Sequence, residues 1–406
     1  MASLRKMNTT QMNTFQELME NHHQQTMYHY GYGEIYYIYD KYDDPSVKDT
    51  ERLTRSRTDA VEYNSISLST ELPKNVDTFW SSSNNKILLQ DLSYDYAITK
   101  AKEIQTAQSN CIILDETKTR PTVLVENRSV RLLDWKKSPF EEADLRIPYH
   151  VWKALQDGCK IFLVLSNDTD IIVALLCQMP TFLNHCIEEL WVKAGRGETT
   201  RYLPIHIMYN RLGRSLCSVL PAVHSLSGCD ITSKVGTKPS ALSADPVKYL
   251  TDFGHGVQLE PTVQTKAETY LVKVLKKTTG SETMNELRSE IYHQQKAKSH
   301  RDLPPTSQGI ESHIRRSFFN THCILNSINI TEEPCLLLNS LDWGFALDGD
   351  YMLPNFKWRC LEDELTVVCA CKKCTRSSCP CHAASVSCPP FCKCKSNECK
   401  NPFNTS

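Results

Sequence analysis

The chain has 406 residues, of which 40% are hydrophobic and 23% charged, with 46 Lys and Arg against 47 Asp and Glu and a formal net charge of −1. That length is expected to hold two or three domains with at least one substantial core, and a net charge this small leaves only local charge to argue for a polyanionic partner. No apolar run approaches the roughly 20 residues that span a bilayer, and residues 1–19 lack the apolar core of a signal peptide, so the sequence reads as soluble and intracellular, with no membrane partner.

In chain order, Thr14 and Glu17 have capping-box spacing, and Phe15, Leu18 and Met19 form a helical stripe. Residues 34–39 read as a strand that ends at Asp40. The segment 40–57, with Lys41, Lys48, Arg52, Arg55 and Arg57, is expected to be an exposed basic arch, and 70–86, rich in Ser, Asn and Pro, a connection. His22, His23 and His29 are close in sequence but lack a fourth ligand, and read as solvated. A helix is expected over 87–108, strands at 111–114 and 122–126, a helix opened by Glu141-Glu-Ala-Asp144, and a buried strand at 160–165 followed by the apolar stretch 171–177. Strands alternating with helices predict an α/β core with a mostly parallel sheet and flanking helices. Beyond Pro221 the pattern turns helical. Val263, Ala267, Leu271, Val274 and Leu275 share one stripe, Thr283 and Glu286 cap a second helix, and Ile310, Ile314 and Phe318 mark a third. A segment with Trp343 and Trp358 leads to the C-terminal cysteines.

Of the 18 cysteines, nine lie between Cys369 and Cys399, in three groups of C-x-C followed by C: Cys369, Cys371 and Cys374; Cys379, Cys381 and Cys388; Cys392, Cys394 and Cys399. Zinc takes four thiolates in a tetrahedron, so three zinc ions that share three bridging thiolates need nine ligands. An odd number does not fit a closed set of disulfides, and nothing points to an oxidising compartment. With Asn401 closing it, this segment resembles the tesmin-type CXC domain. The resemblance implies DNA binding, with Lys372, Lys373 and Arg376 on phosphates, although Ser378 stands where an aromatic residue is usual. A metal-stabilised knob for protein interaction is the alternative.

A second constellation is acidic. Phosphodiester hydrolysis by two Mg²⁺ ions needs carboxylates converging from several parts of a fold, and in an open α/β sheet these belong at the carboxyl ends of strands. Glu142 and Asp144 form one i, i+2 pair, Asp168 and Asp170 in Ser166-Asn-Asp-Thr-Asp170 a second, and Asp230 in Gly228-Cys-Asp230 is a fifth candidate. Singly, each is equally a helix cap or turn residue. Their order resembles the XPG/flap-endonuclease branch of PIN-like nucleases, which implies metal ligation by these five with Asp40 assisting. By the same resemblance Gly236-Thr-Lys238 stands at a helix-hairpin loop, and Lys41, Lys48, Arg52, Arg55 and Lys238 meet phosphates.

Over residues 15–401 the chain resembles animal proteins with such a nuclease-like domain and a terminal CXC cluster, through Tyr39-Asp-Lys-Tyr42 with Ser46-Val-Lys48, residues 141–146, 166–170 and 201–206, Leu220-Pro-Ala-Val-His224 through Ser233, and Leu303-Pro-Pro-Thr306. The implied divisions are a PIN/XPG-like core over 1–220, a helix-hairpin-like extension over 221–300, a helix and Trp-containing linker over 301–359, and a small irregular zinc domain over 360–401. The core lacks the family's first strand and the aspartate that ends it; truncation, substitution by another residue or loss of catalysis would each account for that. The expected function is therefore a structure-selective endo- or exonuclease using Mg²⁺ or Mn²⁺, tethered to DNA by a three-zinc module, in the nucleus or alternatively the cytoplasm. Its rivals are a catalytically inactive DNA- or chromatin-binding scaffold and a mobile-element-derived product without present activity.

Overall fold

Short apolar strands and longer capped helices build the first of two units into which the computed structural model divides, residues 1–355 and 356–406. The structure describes residues 4, 7, 9, 11–30, 33–42, 45–55, 61–103, 111–135, 138–195, 197–294, 303–329, 338–355, 369–371, 374–375, 378–388, 392–394 and 399–403, with backbone only at 28–30 and 55. In chain order the first unit runs α1 (Phe15–Tyr30), β1 (Ile35–Tyr37), α2 (Asp49–Arg55), α3 (Val76–Trp80), α4 (Ser83–Glu103), β2 (Ile112–Leu114), β3 (Val123–Glu126), β4 (Ser129–Leu132), α5 (Ala143–Gln156), β5 (Ile161–Leu165), α6 (Thr169–Asn184), β6 (Glu189–Ala194), β7 (Arg201–Pro204), α7 (Ile205–Leu212) and α8 (Arg214–Ser227). It continues with α9 (Lys238–Ser243), α10 (Pro246–Leu250), α11 (Pro261–Leu275), α12 (Met284–His293), α13 (Ser307–Leu325), β8 (Phe345–Asp348) and β9 (Tyr351–Pro354).

Two sheets lie at the centre. One has the order β1-β2-β3-β4, the other β5-β6-β7. Only the pairs β1–β2 and β5–β6 are parallel; β2–β3, β3–β4 and β6–β7 are antiparallel. The expectation of a mostly parallel sheet is thus corrected to two mixed sheets. The reason is local: Asn127 and Arg128 adopt φ of 48° and 61°, the left-handed pair that closes a tight hairpin between β3 and β4. Such turns leave no room for the crossover helix a parallel pair requires.

The sequence signals for helix starts hold where caps are explicit. Asn13 N donates to Glu17 Oε2 at 2.6 Å and Glu17 N to Thr14 Oγ1 at 3.3 Å at the head of α1, while Thr283 and Glu286 form the reciprocal box that opens α12. The connection expected over 70–86 holds α3 instead, because the Asn75 side chain caps it and Phe79 and Trp80 are buried against Phe15 and Leu18. The expected exposed arch is also corrected. It folds into α2, and the Lys41, Lys48 and Arg52 side chains are only 13%, 17% and 18% exposed, since each is drawn inward by an acidic partner.

Behind the second sheet, α5, α6, α7 and α8 share a core that includes Leu155, Leu175, Phe182, Leu190 and Ile205. Helices α8–α13 form a further core around Leu226, Phe253, Tyr270, Met284 and Phe318, with Trp343 stacked on Phe318 at 4.9 Å. Residues 221–355 belong to the same compact unit as the sheets. Trp358 lies outside the described residues. Among the described residues no helix is long and apolar enough to cross a membrane. The second unit is organised by buried cysteines and holds one short helix, α14 (Pro380–Ala383).

Candidate metal centres

The carboxylate centre is assembled at the carboxyl ends of β1 and β5 and at the start of α5, where the sequence pattern puts it. Asp168 caps α6, accepting from Asp170 N at 3.0 Å, so the structural and ligand readings of this residue coincide. Asp170 follows in the first turn. Asp144 lies in the first turn of α5, whose N-cap is Glu142. That helix is fixed by Arg146, which is fully buried and donates to the Tyr39 carbonyl at 2.7 Å and the Glu116 carbonyl at 3.2 Å while pairing with Asp115. One guanidinium thus ties the ends of β1 and β2 to the helix that carries two of the acids.

Carboxylate oxygens of Asp144, Asp168 and Asp170 all lie within 4.8 Å of one another. Asp40, Glu142, Asp144, Asp168 and Asp230 line a common cavity of about 930 Å³. The structure brings all six expected acids to one end of the fold, but it gives them different work. Asp40 Oδ1 accepts from Ala143 N at 2.9 Å and its Oδ2 accepts from the Tyr42 hydroxyl at 3.3 Å; both oxygens hold backbone and side chain in place. Asp230, on the turn after α8, reaches Lys48 Nζ at 3.2 Å, and Glu142 reaches the same ammonium at 2.8 Å.

Lys48 is the main departure from the sequence reading. Expected on an exposed phosphate track, it projects into the acidic centre instead. Burial works against its charge, but Glu142, Asp144 and Asp230 outweigh burial and hold its pKa well above the ordinary lysine range. Burial, with the charges of Asp40 and Glu141, pushes Glu142 up to about 7 despite Lys48. Burial and the neighbouring Asp168 push Asp144 well above the usual carboxylate range, and burial raises Asp168. Asp170 goes the other way: burial opposes ionisation, but His224, with Nε2 3.0 Å from Asp170 Oδ1, lowers its pKa.

His224 and Glu141 were not singled out as site residues by the sequence. His224 lies within the shared stretch Leu220-Pro-Ala-Val-His224, four residues before Gly228, and only the folding of α8 beside α6 turns it toward Asp170. Glu141 accepts from Ser46 Oγ at 2.6 Å and pairs with Arg52, anchoring the segment that delivers Lys48. Of the other expected phosphate contacts, Lys41 pairs with Glu116, and Lys238 Nζ donates to the Gly228 and His224 carbonyls at 2.8 and 3.1 Å and to Ser227 Oγ at 2.9 Å, closing the end of α8. The Arg55 side chain, Lys372, Lys373 and Arg376 lie outside the described residues. Rather than standing in solvent, His22 packs on Tyr37 at 6.2 Å and His23 on Tyr96 at 6.1 Å, and neither belongs to a metal-ligand group among the described residues; the His29 side chain is outside them.

In the second unit the nine cysteines converge. They fall into four overlapping groups of four, among them Cys369, Cys379, Cys381 and Cys388, and Cys374, Cys388, Cys394 and Cys399; Cys369 and Cys388 each recur in three. Sulfur separations of 3.3 Å for Cys369–Cys374, 3.6 Å for Cys381–Cys392 and 3.9 Å for Cys369–Cys388 and Cys369–Cys394 lie near or somewhat below the roughly 3.8 Å edge of a tetrahedron with zinc–sulfur bonds of about 2.3 Å. They are far longer than the roughly 2.05 Å of a disulfide. Asn401 donates from Nδ2 to Cys388 Sγ at 3.2 Å and to the Val386 carbonyl at 2.8 Å, an outer hydrogen bond of the sort that orients metal ligands. The residues thus fit metal, consistent with zinc, and sharing of thiolates is built into the arrangement.

The chain matches no family model, no curated protein and no solved structure.

Proposed function

We propose that the first unit is a metal-dependent phosphodiester hydrolase acting on nucleic acid, DNA foremost, and that the second is a three-zinc module that tethers it there. The observation that carries this reading is the meeting of Asp144, Asp168 and Asp170 within 4.8 Å at an open cavity. Mg²⁺ or Mn²⁺ takes oxygen ligands at about 2.1 Å, so ligand oxygens must come within roughly 4 Å of one another to share one ion, a small closure from the 4.8 Å within which the three acids lie. A divalent ion there supplies Lewis-acid activation of water and of a phosphoryl oxygen. The chain's own residues do the positioning. His224 orients Asp170, Arg146 fixes the helix that presents Glu142 and Asp144, and Asp40 holds the first amide of that helix. With Lys41 and Lys238 engaged inside the fold, Lys372, Lys373 and Arg376 are the proposed phosphate contacts of the zinc module, and residence in the nucleus follows from a DNA partner.

A second reading is favoured by Lys48. Its ammonium already bridges Glu142 and Asp230, as expected of a scaffold that neutralises its acids internally and binds nucleic acid without cutting it. Cleavage of labelled flap, hairpin and single-stranded DNA with Mg²⁺ or Mn²⁺ separates the two. The hydrolase reading expects cutting by the intact chain and loss of at least a hundredfold in Asp168→Asn/Asp170→Asn. Equal background from both proteins favours the scaffold.

A further inference from the structure

Helix α2 has seven residues, too few to hold a helix in place by itself in water. The pose of Lys48, just before it, therefore depends on what the segment leans on. Glu141 secures it on the side of α5 through Ser46 and Arg52. The other side is held from the far end of the unit. Asp49, only 4% exposed, accepts at Oδ2 from both Ser46 N and Met352 N at 2.9 Å, and its Oδ1 lies 3.5 Å from Arg52 Nη1. One carboxylate thus closes a turn around Lys48 and ties that turn to β9, 303 residues away in sequence.

The register of the β8–β9 hairpin explains why Met352 has an amide to donate. Asp348 and Tyr351 flank the turn Gly349-Asp350, and Leu347 pairs with Met352. In such a hairpin the pair beside the turn exchanges hydrogen bonds and the next pair does not, so the Met352 N–H points away from β8. Further along, Asn355 N donates to the Gly344 carbonyl at 2.7 Å, which keeps the same alternation. The hairpin is rooted independently of α2. Phe345 is 1% exposed and packs edge-on against Phe319 of α13, with ring centroids 5.9 Å apart. It is a strut on the helical core, and its outer edge meets α2.

We infer that Asp49 is a positioning residue for the acidic centre: clasped to the β8–β9 hairpin, it holds Lys48 across Glu142 and Asp230 and thereby sets how tightly the centre takes a divalent cation. The placement of Lys48 stands on geometry alone. The effect on a cation rests on the metal-dependent reading proposed above, and the two halves are measured separately.

Acetylation of Lys48 by an N-hydroxysuccinimide ester, read by peptide mass spectrometry on the zinc-loaded full chain, tests the first half. Met352→Pro removes the amide that Asp49 accepts from, and proline is tolerated in an edge strand where no ladder hydrogen bond is lost. Asp49→Asn keeps the shape but turns an NH₂ group toward either Arg52 or the two amides. Both are expected to speed acetylation of Lys48 by about tenfold or more while leaving Lys266, 49% exposed, unchanged; if one variant fails to fold, the other carries the test. Mn²⁺ titration reads the second half. Each variant is expected to tighten binding about tenfold, as expected for Lys48→Met, and to add nothing in a Lys48→Met background, a non-additivity that general loss of structure does not produce. Unchanged acetylation in both variants overturns the inference, and so does Mn²⁺ affinity that responds to Lys48→Met but not to Asp49→Asn. Faster acetylation in proteins none of which binds Mn²⁺ supports the placement of Lys48 by Asp49 and counts against the cation reading alone.

Discussion

Lys48 shows how far a single side chain can shift the meaning of a site. Read along the sequence it is one of several bases in a polar stretch, and its pattern does not distinguish a solvated lysine from a buried one. Position is decided by Glu141, which holds Ser46 and Arg52 and turns the segment inward so that Lys48 meets Glu142 and Asp230. The ammonium and the proposed divalent cation would then compete for the same negative field. Lys48→Met removes one competitor and is expected to tighten Mn²⁺ binding about tenfold, the change that accompanies a difference of about 1.4 kcal/mol; calorimetric titration of both proteins measures it. Unchanged affinity would show that Lys48 and the ion do not share the field. His224 carries the same lesson: its place beside Asp170 depends on helix packing that no local spacing encodes.

At the scale of elements, the turn after α8 delivers Asp230, and it depends on Gly228. That residue has φ of +111°, and a Cβ there would lie 2.7 Å from Lys234 Cα, a backbone atom that cannot swing aside. Gly228→Ala is expected to lower stability by about 2 kcal/mol, read as a drop in the urea midpoint with an unchanged slope. Elements with explicit chemical signals were legible: the capped helices α1 and α12, the strand β5, and the Asp-x-Asp turn that follows it; the burial expected of β5 from its unbroken apolar run is corrected, since among the described residues it is an edge strand with Ile161, Leu163 and Leu165 exposed. β4 and β6 were not anticipated. All four residues of β4 are exposed, so it has no buried face to produce an alternating pattern, whereas β6 does alternate, with Leu190, Val192 and Ala194 buried between Glu189, Trp191 and Lys193, a period-2 signal that was present in the sequence and passed over. Sheet direction was misjudged for a related reason. Alternating strands and helices suggest crossovers, whereas the hairpin at Asn127 and Arg128 is set by two left-handed residues that lack the usual glycine.

At the scale of the whole molecule, the two units present two candidate ligand sets of different chemistry, carboxylate oxygens in the first and thiolates in the second. The cysteine count was legible because nine thiolates in repeated spacing have few other uses, and the structure adds their overlap, with Cys369 and Cys388 each placed in three groups of four. Native mass spectrometry of the purified chain is expected to find three zinc ions, with the nine cysteines of the cluster resisting alkylation until a chelator is added. One ion per chain would contradict the shared-thiolate arrangement. Of the six acids, Asp40 is engaged by Ala143 and Tyr42, and Glu142 and Asp230 by Lys48, whereas Asp144, Asp168 and Asp170 bring oxygens within 4.8 Å of one another and are the proposed metal-holding set. The most direct test of that assignment is a Mn²⁺ titration of the zinc-loaded chain, followed by electron paramagnetic resonance, against Asp168→Asn/Asp170→Asn. The account predicts saturable binding by the native chain that weakens by at least a hundredfold in the double variant. Equal binding by both proteins, or none by either, would contradict it.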